Sequence, residues 1–358
     1  MRRSEAPDQF FSVRYRMMTA SLFRLLCLLL LIAAGTFAIA QTYTITDLGT
    51  LSGMDYSVAR GVNASGQVTG ASGQNNNNVA DVFVYSAGTI TNYGTLGGNT
   101  GIGNGINASG QVAGYSTNAV PTYRAFISNG TSLVDIGDLG GGSAVAYAIN
   151  DAGQVVGSAV TSTHANHPFL YSNGQMTDLG TLGSPDNVDW WNSAQGVNNS
   201  GVVTGTSYDA QGNFFGFLWS NGKMTKLGTL GGPWSQAYAI NNVGQVTGIA
   251  YTKNGGAHAF LRSVGGTMRD LGVIGGKFGT SWGFGINDSG VVVGQATFGG
   301  TYHAFVYSGR KIKDLNKLIP NGSGWVMIDA RSVNNAGKIV CTGMRGDGTE
   351  HAFLLTPR

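Results

Sequence analysis

The chain has 358 residues, 58 of them Gly, with 21 Lys and Arg against 18 Asp and Glu. Five of the basic and two of the acidic residues fall in residues 1–40, leaving 16 of each, so the remainder is neutral and gives no electrostatic case for nucleic acid or an anionic membrane surface. Cys27 lies in that first stretch, and Cys341 alone cannot form an intramolecular disulfide.

Residues 1–40 read as a signal peptide. Arg2, Arg3, Arg14, Arg16 and Arg24 precede the apolar run Leu25–Ala34, and Ala38-Ile39-Ala40 is a small-x-small cleavage site. The apolar run is short for a membrane span. The expectation is export to the periplasm or beyond, with a domain over 41–358 that has no membrane attachment once the signal is cut. Met17 or Met18 would leave a signal of ordinary length if either were the start.

From there the sequence repeats. Asn63, Asn107, Asn150, Asn198, Asn241, Asn287 and Asn334 each follow Val or Ile and each precede a Gly by three residues. The steps between them are 44, 43, 48, 43, 46 and 47 residues. A Phe stands 18 to 20 residues after each: Phe83, Phe126, Phe169, Phe217, Phe260, Phe305 and Phe353. A repeat of this length built from short strands signals a propeller or a solenoid.

Repeat five predicts four strands, at Ala237–Asn241, Gln245–Gly248, His258–Leu261 and Met268–Leu271. The Asn-x-x-Gly between the first two suits a type I turn followed by a left-handed Gly. In repeats three and four, Asn173-Gly174 and Asn221-Gly222 join the third strand to the fourth, a strong hairpin signal. Four strands with no helical periodicity read as one antiparallel blade.

Two further features place these strands. Tyr43–Gly49 is a fourth strand without its first three, and His351–Leu355 a third strand without its fourth. Their pairing would close a ring and remove both sheet edges. The predicted fold is all-β, a seven-bladed β-propeller closed by its terminal strands, with a β-solenoid as the alternative. Small residues recur four before each Asn (Ala59, Gly103, Ala146, Ala194, Ala237, Gly283, Ala330) and two before it (Gly61, Gly105, Ala148, Gly196, Ala239, Gly285, Ser332). They mark a crowded face, hence the innermost strand.

His258-Ala259-Phe260, His303-Ala304-Phe305 and His351-Ala352-Phe353, together with the Asp-Leu-Gly-Thr-Leu-Gly phrases, resemble the HAF-repeat family of predicted bacterial extracellular proteins. The resemblance covers residues 41–358. Four copies depart from the tripeptide, at Val82-Phe83, Arg124-Ala125-Phe126, His167-Pro168-Phe169 and Gly216-Phe217. It implies export and a repeat fold, and no catalytic residue.

Titratable groups give no reaction. His258, His303 and His351 repeat one position and read as structural, and His164 with His167 make two ligands where a metal site needs more. No metal or cofactor is expected. Asp47, Asp135, Asp178, Asp270 and Asp314 belong to the repeat and read as turn contacts. Asp55, Asp186, Asp189 and Asp329 do not, and could do acid–base work only if brought together.

Aromatics cluster instead. Trp190, Trp191, Trp234, Trp282 and Trp325, with Tyr56, lie between the Leu-Gly phrase and the small-residue strand. Tyr56, Trp191 and Trp234 share one position, seven before the Asn, and repeat four carries an enlarged stretch with Asp186, Asn187 and Asp189. Rings with nearby carboxylates and amides suit saccharide binding, or a protein-docking patch, or the core between blades. The leading expectation is an exported, monomeric, non-enzymatic binding or scaffold propeller, taking a saccharide or cell-surface polymer through an aromatic loop face. A polysaccharide hydrolase or lyase and a structural cell-surface component are the alternatives.

Overall fold

The computed structural model describes residues 42–184, 192–276 and 279–358, and the signal-peptide expectation lies outside them. Thr42–Arg358 is one compact unit, and among its described residues the regular structure is strand apart from a single 3-10 turn at Leu315–Lys317.

Repeat five folds as a meander of Gly231–Ile240, Val246–Thr252, Ala257–Arg262 and Met268–Gly272, each antiparallel to the next. The other repeats follow the same order, and the sets of repeats one and two are linked by one bridge, Ala80 with Thr100. The turn chemistry is as the sequence indicates. The Gly three after each Asn has positive φ, from 74° to 88°, and Asn173-Gly174 and Asn221-Gly222 are left-handed at both residues. The last set takes Val326–Val333, Ile339–Met344 and Glu350–Pro357 from the C-terminus and Tyr43–Asp47 from the N-terminus, with Tyr43 opposite Pro357 and Asp47 opposite Phe353.

The core lies between consecutive sets. Each cluster of buried side chains draws on two neighbouring repeats, and the cluster of Leu48, Leu51, Ala59 and Phe83 with Val340, Ala352 and Leu354 joins the last to the first. All seven repeat Phe side chains are at most 1% exposed. Opposite each of the first six stands a second-strand Gly, as Gly248 stands opposite Phe260. A Cβ on Gly248 would fall 1.9 Å from Gln236 O, so close approach of the first strand requires Gly here.

The small residues two before each Asn face the first strand of the next repeat. A Cβ on Gly61 would lie 3.3 Å from the backbone of Gly105, and one on Gly196 3.2 Å from that of Ala239. Asn side chains tie the repeats together. The Oδ1 of Asn63 accepts from Gln67 N and closes its own turn, while Nδ2 donates to Asn107 O at 3.0 Å. The donation recurs from Asn107 to Asn150, Asn150 to Asn198, Asn198 to Asn241, Asn241 to Asn287 and Asn287 to Asn334, at 2.8 to 3.2 Å. Asn334 then donates to Asn63 O at 2.9 Å.

Candidate functional site

The aromatic residues singled out in the sequence do not form a loop face among the described residues. Asp186, Asn187, Asp189, Trp190 and Trp191 lie outside those residues. Tyr56, Trp234 and Trp282 sit on first strands, not on loops. In repeat five the first strand begins at Gly231, six residues before the expected start, because a register shift between Gly231 and Ser235 lets pairing resume beyond the Leu-Gly phrase. Trp234 packs between Phe214 and Tyr251, with centroids at 4.9 and 4.6 Å. Trp282 meets Tyr302 edge-on. Trp325 is 8% exposed in the core against Phe353 and His351, with the Arg345 guanidinium 4.3 Å over its ring.

A different set of side chains converges. In every repeat the first strand carries a β-bulge between the two small positions. In repeat one Ala59 pairs with Gly70 and Gly61 with Thr69, so Arg60 has no partner across the ladder. The same irregularity isolates Asn104, Tyr147, Gln195, Tyr238, Phe284 and Arg331. A bulge re-aims the extra residue and increases local twist. Here the seven bulged residues, one from each repeat, line one cavity of about 540 Å³, with Tyr115 beside them. That volume falls in the range of small-ligand sites.

The cavity wall is basic and aromatic. Tyr238 and Phe284 meet with centroids at 5.5 Å, and the Arg331 guanidinium lies 4.2 Å over the Phe284 ring. Arg331 Nε pairs with Asp329 Oδ2 at 2.7 Å, and Asp329 Oδ1 accepts from Thr342 N. Asp329, one of the four acids outside the repeat pattern, is thus committed to structure. Arg60 Nε is sealed from solvent with no hydrogen-bond partner. Burial, then the neighbouring Arg331 charge, push the Arg60 guanidinium below its ordinary value, with Asp329 opposing. Burial pushes the Tyr238 phenol up to about 12, and raises Tyr147 and Tyr115 also. All three phenols therefore stay protonated at neutral pH.

Val62, Ile106, Ile149, Val197, Ile240 and Ile286 line this cavity and also a second one of about 260 Å³. The second chamber is rimmed by the repeat Asn residues and by Asp151, Asn199, Asn242, Asp288 and Asn335. Those rim groups are linked, with Asp151 N donating to Asn199 Oδ1 and Asp288 N to Asn335 Oδ1. An aliphatic belt thus separates a basic aromatic chamber from an acidic one.

The His and Asp residues of the repeat bind each other. His258 Nδ1 meets Asp270 at 2.9 Å, His303 meets Asp314 at 2.9 Å, His351 meets Asp47 at 2.9 Å, and His167 meets Asp178 at 2.8 Å. Each pair joins a third strand to a fourth. In repeat two Arg124 takes the His place and pairs with Asp135 at 2.7 Å. Among the described residues no group of three or more His, Cys, Asp or Glu side chains comes together.

The sequence reading missed the bulged position, although a signal was present. Residues two and four before each Asn are uniformly small, while the residue between them runs Arg, Asn, Tyr, Gln, Tyr, Phe, Arg. A position that varies freely between fixed neighbours is not held by packing.

No family model matches the chain, and no curated protein sequence matches it. Solved structures do. The β-propeller domain of the Trilobed protease from Pyrococcus furiosus, which has an open velcro topology, aligns at TM-score 0.56 and 10% identity, over 85% of this chain and 95% of that one. A puromycin-hydrolyzing peptidase from Mycobacterium tuberculosis aligns at 0.57 and 11% identity, over 84% of this chain and 50% of that one. Pyrococcus horikoshii acylaminoacyl peptidase aligns at 0.52 and 10%, over 85% and 52%. The chain spans about half the length of these two peptidases. At such identities the likeness shows the fold alone, and that fold is the β-propeller.

Proposed function

We propose that the chain is a seven-bladed propeller, closed by pairing of its terminal strands, that acts as an exported, non-catalytic binding module with its ligand in the axial cavity. The pairing of Tyr43–Asp47 with Glu350–Pro357 and the return of the Asn series from Asn334 to Asn63 support closure. The order of residues 1–40 and the resemblance to the HAF-repeat family support export.

The observation that carries the binding reading is the bulge in each repeat. A bulge leaves one residue outside the ladder, and a scaffold alone gains nothing from seven such residues of differing chemistry. Placed on one cavity, they form a wall whose composition is free to vary while the framework stays fixed. Saccharides are the ligand class that suits rings, amides and phenols on one wall. A glycan array probed with wild type and with Tyr238→Ala and Gln195→Ala tests this. Binding lost in both variants at unchanged melting temperature is expected. Binding that survives both and disappears in Trp234→Ala would place the site among the outer rings instead.

A further inference from the structure

We propose that the axial cavity selects a carboxylate-bearing sugar, a uronate, whose carboxylate meets Arg60. This rests on the cavity being the ligand site.

The two cavity arginines differ. Arg331 has its counter-charge in Asp329, 2.7 Å away, and its face on Phe284. Arg60 Nε has neither a hydrogen bond nor solvent. The Arg60 side chain as a whole is only partly buried and lines the cavity. A guanidinium keeps its charge, and a ligand carboxylate there would supply the counter-charge that Asp329 gives Arg331. The planar fork of Arg also matches a carboxylate with two parallel hydrogen bonds.

The rest of the wall suits a hydroxyl-rich ring. Asn104 Nδ2 donates to Ala146 O at 2.8 Å and Gln195 Nε2 to Ser193 Oγ at 2.9 Å. Those donations leave each amide oxygen free to accept from a hydroxyl. Tyr147 and Tyr115 stay protonated and can donate. Phe284 and Tyr238 supply apolar faces. Beyond the aliphatic belt stand Asp151 and Asp288, so an anion is favoured on one side only.

Calorimetric titration of wild type, Arg60→Gln, Gln195→Ala and Trp234→Ala tests this, with glucuronate, galacturonate, trigalacturonate, glucose, galactose and benzoate as probes. Wild type is expected to prefer a uronate over its neutral sugar, and over benzoate, by about tenfold or more. Arg60→Gln should lose that preference and melt within a few degrees of wild type, since Arg60 Nε has no hydrogen bond to lose. If that variant does not fold, Arg60→Lys keeps the cation but loses the fork, and should also bind uronates more weakly. Tighter binding of trigalacturonate points to a polymer end, and equal binding to the free sugar. Equal affinity for uronate and neutral sugar, unmoved in Arg60→Gln, overturns the charge assignment and leaves the cavity reading standing. Sugar binding lost in Trp234→Ala but kept in Gln195→Ala overturns the cavity reading itself. No uronate binding by wild type at millimolar concentration overturns the proposal.

Discussion

Asn334 Nδ2 donates to the main-chain oxygen of Asn63, 2.9 Å away in space and 271 residues away in sequence. The bond repeats six others between neighbouring Asn residues. Asn334→Ala should destabilise the protein by about 1–3 kcal/mol, because it removes this donation and the one from Lys338 N to Asn334 Oδ1, leaving the buried Asn63 O with Gly66 N alone. Asn334→Asp should do at least as much harm, since it sets a carboxylate against that oxygen. Urea unfolding of both beside wild type checks the ordering.

Removing residues 43–51 should be more damaging than any single substitution. The segment covers the edge of Glu350–Pro357 and places Leu48 and Leu51 in the core against Leu354. An uncovered edge presents unpaired N–H and C=O groups to other chains. Aggregation or loss of a cooperative melt is expected by calorimetry and light scattering.

The rings should separate by burial. Trp325→Ala removes a core side chain and should cost about 3–5 kcal/mol of stability. Trp234 is half-buried between Phe214 and Tyr251, and its loss should cost less. Chemical denaturation of each variant reads the difference.

Acid below about pH 4 should weaken the ties between third and fourth strands. Burial alone would raise the carboxyls of Asp178 and Asp270, but hydrogen bonds from His167 and Gly180, and from His258 and Gly272, hold them below the ordinary Asp value. A lowered folded value means these groups stabilise the fold above the unfolded pKa of about 3.9, and lose that contribution as pH falls through the folded values. The carboxylates are more than 40% exposed, so each pair contributes at most about 1 kcal/mol. Asp270→Asn should therefore flatten the stability profile below about pH 4 by a small amount, seen in denaturation across that range.

What the sequence made legible was whatever packing and turn geometry hold fixed. The Asn-x-x-Gly turns, the buried Phe and the two small positions recur because each admits only one residue type or one size of side chain, and the terminal fragments announced their pairing. The first strands were harder. Register shifts, two in repeat five and one in repeat six, break the alternation by which a strand is recognised, so Trp234 and Trp282 looked like loop residues. The cavity was hidden for the same reason. Arg60 and Arg331 are bulged out of the ladder, and a bulge leaves its trace as variation at one position, where repetition is what the eye follows.

Gln195→Trp tests the cavity most directly. Gln195 is bulged from repeat four, lines the cavity and is held by a hydrogen bond to Ser193, so a large ring there should fill space instead of breaking core contacts. Glycan binding and melting temperature measured together give the answer. The expected result is loss of the wild-type glycan signal with melting within a few degrees of wild type. Glycan binding retained at full strength in Gln195→Trp, with the fold intact, would contradict a ligand site in the axial cavity.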